Sequence, residues 1–260
     1  MKNSQTTKPV NLIKYGAIIQ LGLHKIACGD CRDKKLISRL LEKSRKISLV
    51  AVDVPYGVAV TESKSNFQKM SCNKPIANDQ LQSDEEYTKF TTEWIEAIKP
   101  HLADYNSFYV FNSDRMVFAL RDGLLQAGCK LSQLLIWVKT QSIVGRLDYC
   151  PQHELIIYAW FGKHKFKKSK DRSVIIYPKP QKSKLHPTMK PLGLMRRLIL
   201  NSSDIGDVVY DGFLGSGSTL LSCEQTKRIC LGVELDPEYC QTIIDRFQKI
   251  SNQPIKISNL

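Results

Sequence analysis

Three short segments carry residue types that could act together on an organic ligand. The first is Asp53-Val54-Pro55-Tyr56, which ends an apolar, β-branched run from Ile47 to Val52. Ligands of open α/β sheets bind outside the carboxyl ends of the strands, and the chemistry at this position suits an amino group. Asp53 can accept one N–H bond and the Val54 carbonyl a second, which would aim the nitrogen lone pair at an electrophile. Pro55 fixes the local backbone, and Tyr56 offers a ring on which an extruded base can stack. Taken alone, the tetrapeptide reads better as a strand-end turn with an exposed aspartate.

The second segment is Asp211-Gly212-Phe213-Leu214-Gly215-Ser216-Gly217-Ser218-Thr219, between a predicted strand and a predicted helix. Gly215 and Gly217 allow a ligand close to the backbone, and a helix N-terminus offers free N–H groups and partial positive charge. Glu234 ends the next strand, where an acid can accept both hydroxyls of a ribose. The chain has neither G-x-G-x-x-G nor Gly-Lys-Ser/Thr, which argues against a dinucleotide or a triphosphate and leaves a nucleoside. The third segment, His186-Pro187-Thr188-Met189-Lys190-Pro191, pins an extended loop before a helix. It puts hydroxyl and ammonium donors where an amino-acid carboxylate could lie.

The elements that must position these segments alternate along the chain. A hairpin is predicted over 17–28, then helices over 33–43, 84–99 and 114–127, with strands at 47–52, 107–112, 131–139 and 153–160 between and after them. Ser83 with Glu86 three residues on is a capping-box signal for the second helix. The last third restarts the pattern, with helices over 191–201, 216–227 and 237–250 and strands over 207–211 and 229–235. Such alternation implies an α/β fold, a doubly wound and mostly parallel sheet with an antiparallel edge hairpin. At 260 residues, this is one domain spanning 1–260. Residues 58–83 form a polar loop long enough to suggest function.

Composition excludes several classes. No stretch reaches 18 uncharged apolar residues, and the N-terminus lacks the apolar core of a secretory signal, so a cytoplasmic protein without a membrane partner is expected. Of eight cysteines, Cys28 and Cys31 form the one C-x-x-C, and nothing completes a tetrahedral site; reduced thiols and no metal are expected. The net charge of +13 is concentrated. From Lys163 to Arg197 there are twelve basic residues and one acid, Asp171, for a net +11. Interleaved with His164, Phe166 and Tyr177, this block fits a surface facing a polyanion better than a solvated face.

Together the three segments resemble the β class of amino-group DNA methyltransferases, in which the catalytic motif comes first and the cofactor motif last. Family patterns are Asp-Pro-Pro-Tyr, His-Pro-Thr-x-Lys-Pro and Asp-Pro-Phe-x-Gly-Ser-Gly-Thr/Ser-Thr. Further matches are Gly29-Asp30, Trp137-Val138-Lys139, the run Tyr149 to Tyr158 around His153-Glu154, and Gly232 to Pro237, so the resemblance covers about 26–250. It implies S-adenosyl-L-methionine as cofactor, a Rossmann-like methyltransferase fold and double-stranded DNA as partner. By the same resemblance Asp53, Val54, Pro55 and Tyr56 would hold the target base, while Asp211, Phe213, Gly215 and Gly217 would line the cofactor. Glu234 would bind its ribose, Asp30 would lie near its adenine, and Thr188 and Lys190 near its methionine end.

An aspartate at the first catalytic position is the family's usual mark of adenine-N6 specificity. The alternatives are N4-cytosine methylation and a catalytically weakened DNA-binding homologue. The basic insertion at about 161–185 occupies the family's target-recognition position. DNA contacts are therefore expected from Lys163, Lys165, Lys167, Lys168, Lys170 and Arg172. A bacterial or phage setting, a homodimer and a cognate restriction endonuclease are further partners that the resemblance allows. Two residues depart from the pattern: Val54 and Gly212 stand where the family has proline. Each loosens a loop without removing a functional group.

Overall fold

The computed structural model describes residues 13–57, 82–142, 148–167, 170–179 and 189–258. The loop expected over 58–83 therefore lies almost wholly outside the described residues, as do Lys168, His186, Pro187 and Thr188.

The chain opens with an antiparallel hairpin, β1 (Ile18–Leu21) and β2 (His24–Cys28), followed by helix α1 (Lys34–Leu41) and strand β3 (Ile47–Asp53). Helix α2 (Asp84–Ile98) leads to β4 (Leu102–Asn112), α3 (Val117–Gln126), β5 (Lys130–Val138) and β6 (His153–Trp160). Two short strands follow, β7 (Lys163–His164) and β8 (Val174–Ile176). The last third holds α4 (Leu192–Ser202), β9 (Val208–Asp211), α5 (Ser218–Thr226), β10 (Ile229–Glu234), α6 (Pro237–Gln248) and β11 (Ile255–Ser258). Helix starts follow side-chain chemistry. Asp33 caps α1, Ser83 and Glu86 close a reciprocal capping box on α2, and Asp236 caps α6 with Pro237 at its first turn.

The strands form one sheet in the order β11-β1-β2-β10-β9-β3-β4-β6-β5-β8, with β7 paired to β4 alone. The centre from β2 to β4 is parallel, and the hairpin, β6 and β11 supply the antiparallel pairs. Strand β3 is buried on both sides, as its apolar run, interrupted only by Ser48, requires. Val50 and Val52 face a core shared with α1, α2 and α3, while Leu49 and Ala51 face a second core shared with α4, α5 and α6. Each fully buried aliphatic side chain in these layers contributes roughly 1.5–3 kcal/mol. Six of the described cysteines are buried free thiols that pack here as small apolar groups.

The topology fixes where a ligand can sit. From β3 the chain crosses to β4 on one side, whereas from β9 it crosses to β10 on the other. The adjacent pair β3 and β9 is thus the point at which strand order reverses, and a crevice opens beyond their carboxyl ends. Those ends are Asp53 and Asp211.

Candidate active site

The crevice is lined from one side by Asp53, Val54, Pro55 and Tyr56, and from the other by Asp211 to Ser216, Ser218 and Thr219. Gly29-Asp30 and Glu234 close its floor, and Lys190 enters from the segment before α4. Hydrogen bonds tie these strand ends together: the Gly29 amide donates to the Glu234 carbonyl at 2.9 Å, and the Leu214 amide to the Val233 carbonyl at 3.0 Å.

The glycine-rich loop is built around Asp211, whose side chain is 2% exposed. One carboxylate oxygen accepts the Phe213 amide at 2.9 Å and the other the Thr219 hydroxyl at 2.5 Å. Asp211 therefore fastens the loop as well as lining the crevice. Burial pushes its carboxyl up to about 7, against the lowering effect of those two donors. Gly217, expected beside the cofactor, is not among the lining residues. Its φ of +84° starts α5, and a Cβ there would come within 3.0 Å of Ile243. It shapes the turn by packing against α6. At Gly212 a Cβ would meet the Tyr210 hydroxyl at 3.1 Å and the Cys31 Cβ at 3.2 Å, so a larger residue would be crowded.

Glu234 accepts the Gly215 amide at 2.7 Å and the Asp236 amide at 2.9 Å, one on each oxygen. Burial raises this carboxyl to about 7, the two amides working the other way. Phe213 turns its ring onto Phe90 and Trp94 of α2, with both centroids at 5.9 Å. Asp30 lines the crevice but is held by Arg32 at 2.7 Å.

The opposite wall is an ionic cluster. The Lys190 side chain is 5% exposed, and its ammonium lies 2.5 Å from Asp53 Oδ2, 3.1 Å from Glu154 Oε2 and 3.3 Å from the Tyr56 hydroxyl. Tyr56 donates towards Glu154 Oε2 at 2.8 Å and approaches Asp53 Oδ1 at 3.2 Å. Lys139, buried at the end of β5, pairs with Glu154 Oε1 at 2.8 Å. Burial raises the Asp53 carboxyl, with Lys190 opposing and Glu154 reinforcing the shift. At Glu154 burial is outweighed by Lys190 and Lys139, which hold the carboxyl down at about 2. Pro55 is anchored by its carbonyl, which accepts the Tyr87 hydroxyl at 2.6 Å; the Asn112 amide donates in turn to Tyr87 at 2.8 Å. The Val54 side chain is buried in the core with α2, an apolar filling of the position that proline holds in the family pattern.

Several side chains take on contacts that their place in the sequence does not indicate. Lys190, expected at the methionine end of the cofactor, lines the crevice and also reaches the Asp53 carboxylate, with its ammonium caged by the Phe111, Tyr56 and Trp137 rings. Lys139 and Glu154 were visible only as matching residues without a role; the available signal was a charge abutting each of two apolar strands. The basic block is also less available than its charge implied. Lys165 pairs with Asp204 at 2.8 Å and Asp207 at 2.6 Å, Lys167 pairs with Asp204, and Asp171 pairs with Arg197. Lys163 and His164 lie beside Tyr105 and Asn106 near the start of β4, and Asp207 immediately precedes β9. Lys163, Lys165 and Lys167 therefore sit at the amino ends of the strands, opposite the crevice. Lys170 and Arg172 are exposed and flank the tethered Asp171. Counting charge along a segment cannot reveal acids that folding brings from elsewhere.

A family match decides what this geometry belongs to: the N6/N4 DNA methylase family matches residues 47–245. The chain belongs to that DNA methylase family. Its cofactor is S-adenosyl-L-methionine. The type II methyltransferase M.HpaI of Haemophilus parainfluenzae is 27% identical over 253 residues, spanning 84% of this chain and 73% of that protein. The M1.HpyAVI–SAM complex superposes with a TM-score of 0.62 at 26% identity, covering 85% of this chain and 98% of that one. The cytosine-N4-specific PvuII DNA methyltransferase shares the fold, with a TM-score of 0.67 at 16% identity over 90% and 91% of the two chains.

The methylase crevice fits its cofactor. Glu234 offers buried carboxylate oxygens suited to ribose hydroxyls, Phe213 an apolar wall for a purine, and Gly215 a close approach. The Ser218 hydroxyl, at the N-terminus of α5, is buried without a partner in the crevice and would suit a polar ligand atom.

Proposed function

We propose that this chain methylates the exocyclic amino nitrogen of adenine in double-stranded DNA. One observation carries the reading: Asp53 with Tyr56, and Glu234 with the loop from Asp211, line a single crevice at the sheet's reversal point. Asp53, Val54, Pro55 and Tyr56 would take the target base, and Asp30, Phe213, Gly215 and Glu234 the cofactor. When bound, S-adenosyl-L-methionine supplies a methyl group activated by its sulfonium. Asp53 accepts an N–H of the target amino group and the Val54 carbonyl a second, so the nitrogen lone pair points across the crevice. Tyr56 stacks against the extruded base. Cys31 also lines the crevice, but burial drives its thiol well above the ordinary range, so it offers no thiolate for attack on a ring carbon.

The DNA would approach the carboxyl edge of the sheet. The likeness to type II methyltransferases supports a restriction–modification setting with a cognate endonuclease. The family embraces both N6 and N4 chemistry, and the adenine assignment rests on Asp53. Tritium transfer from labelled cofactor to unmethylated mixed-sequence DNA, followed by nucleoside mass spectrometry, tests it. N6-methyladenine is the expected product. N4-methylcytosine would overturn the base assignment, and no transfer at all would overturn the enzyme reading.

A further inference from the structure

The cluster Lys139–Glu154–Lys190–Asp53 has two half-buried acids and two buried bases, and it leaves Asp53 engaged. Lys190 stands 2.5 Å from Asp53 Oδ2, while Tyr56 approaches Oδ1. A nitrogen donating to Oδ2 along this direction would have to stand where the ammonium stands. A target amino group that uses this oxygen must therefore exchange with Lys190. Within reach of the ammonium is one other carboxylate among the described residues, Glu154 Oε2 at 3.1 Å. Lys139 grips the far oxygen, Oε1, so Oε2 faces Lys190 and Tyr56. The cage around the ammonium is aromatic, with Phe111 at 5.2 Å, Tyr56 at 5.6 Å and Trp137 at 6.0 Å. These faces attract a cation without fixing it to one hydrogen-bond direction. The ammonium thus has somewhere to go.

We infer that Glu154 is a positioning residue that receives Lys190 when the target amino group replaces this ammonium on Asp53. The inference rests on the proposed role of Asp53 as acceptor of the target amino group. With Lys190 bridging Asp53 and Glu154 the site is closed to the base; with Lys190 on Glu154 alone it is open. Tyr56 is held by the same Glu154 oxygen, so stacking ring and lysine are positioned together. No covalent step is involved. The exchange trades one N–H donor on Asp53 for another and leaves the cluster's charge unchanged.

The test uses the full chain and compares wild type with the charge-neutral double variant Glu154→Gln/Lys139→Met, which removes the receiving carboxylate and its counter-ion together. Tritium transfer to unmethylated mixed-sequence DNA gives KM and kcat, and calorimetric titration gives cofactor affinity. Apparent affinity falls in proportion to the population of the competent state, so KM for DNA should rise by about tenfold in the double variant. Cofactor affinity should stay within about twofold, since Glu154 is not among the residues lining the cofactor crevice; this also reports a folded chain. Adding Lys190→Met to the double variant should recover most of the KM, because the competitor for Asp53 is gone. A wild-type KM in the double variant, or a raised KM that Lys190→Met does not lower, overturns the inference. Should the double variant lose cofactor binding, Lys190→Met alone must lower the KM for DNA below wild type, and an unchanged or raised KM overturns the inference. Absence of transfer by the wild type would instead defeat the proposed function.

Discussion

Asp53 and Asp211 occupy equivalent places at the ends of neighbouring parallel strands, yet their surroundings differ in kind. Asp53 is 21% exposed on its side chain and faces two ionised neighbours, Lys190 and Glu154. Asp211 is 2% exposed and its two oxygens accept from a neutral hydroxyl and a backbone amide. A strand end at the reversal point can therefore present an acid to a ligand or bind it into the wall. What decides between these is the next few residues. Val54-Pro55 turns away under the Tyr87 anchor and leaves Asp53 facing the crevice. Gly212-Phe213 folds back over Asp211 and encloses it.

The largest effect that would sharpen this contrast is on rate. Asp53→Ala should lower methyl transfer by at least about 10²–10³-fold, the scale of losing one preorganised polar group in a site, with cofactor affinity retained. Retained turnover by tritium transfer would end the distinction between the two aspartates. Asp211→Asn should do the reverse: cofactor affinity by calorimetry should fall by roughly tenfold, because an amide nitrogen that can only donate replaces one of the two oxygens that accept the Phe213 amide and the Thr219 hydroxyl.

A pH effect reports on the enclosed acids of the cofactor side. Asp211 and Glu234 are both raised to about 7 by burial, so between the ordinary carboxylate range and pH 7 the folded chain keeps protons that the unfolded chain releases. Stability without cofactor should therefore fall as pH rises across that window and level off above it. Asp211→Asn should flatten the slope in thermal melts between about pH 5 and pH 8; an unaltered slope would remove Asp211 from this account. Smaller still, Gly217→Ala should cost about 1–2 kcal/mol in urea unfolding, from its positive φ and the contact with Ile243. The least effect is expected from Lys165→Ala with Lys167→Ala. Both lie at the opposite edge and are paired with acids, so DNA affinity should change by less than about twofold and its salt dependence hardly at all.

The central fold was legible because its signals are local. Ile47 to Val52 could be read as a strand buried on both sides, Ser83 and Glu86 as a helix start, and the glycine run as a strand–helix turn; all three are seen. Strands β7, β8 and β11 were not foreseen, since each is two to four residues long and owes its existence to a partner far away in sequence. The same limit applies to the site. Asp53, Glu234 and the glycine loop announce themselves by neighbours in the chain. Lys139, Glu154 and Lys190 acquire meaning only when β5, β6 and the start of α4 converge on Asp53. Burial also adds to what a residue type implies: Asp211 reads as a ligand-facing acid in sequence, and in three dimensions it also fastens the loop.

The pairing of β1 with β11 sets Ile18 opposite Ser258. The first and last strands of the described chain thus lie side by side at one margin of the sheet, so a short bridge would join them without disturbing any strand pairing. New ends could then be opened in an exposed connection elsewhere, a change that compact domains tolerate when the joined ends are close. Rotating the linear order in which catalytic and cofactor segments are encoded would accordingly leave the strand pairings around the crevice in place.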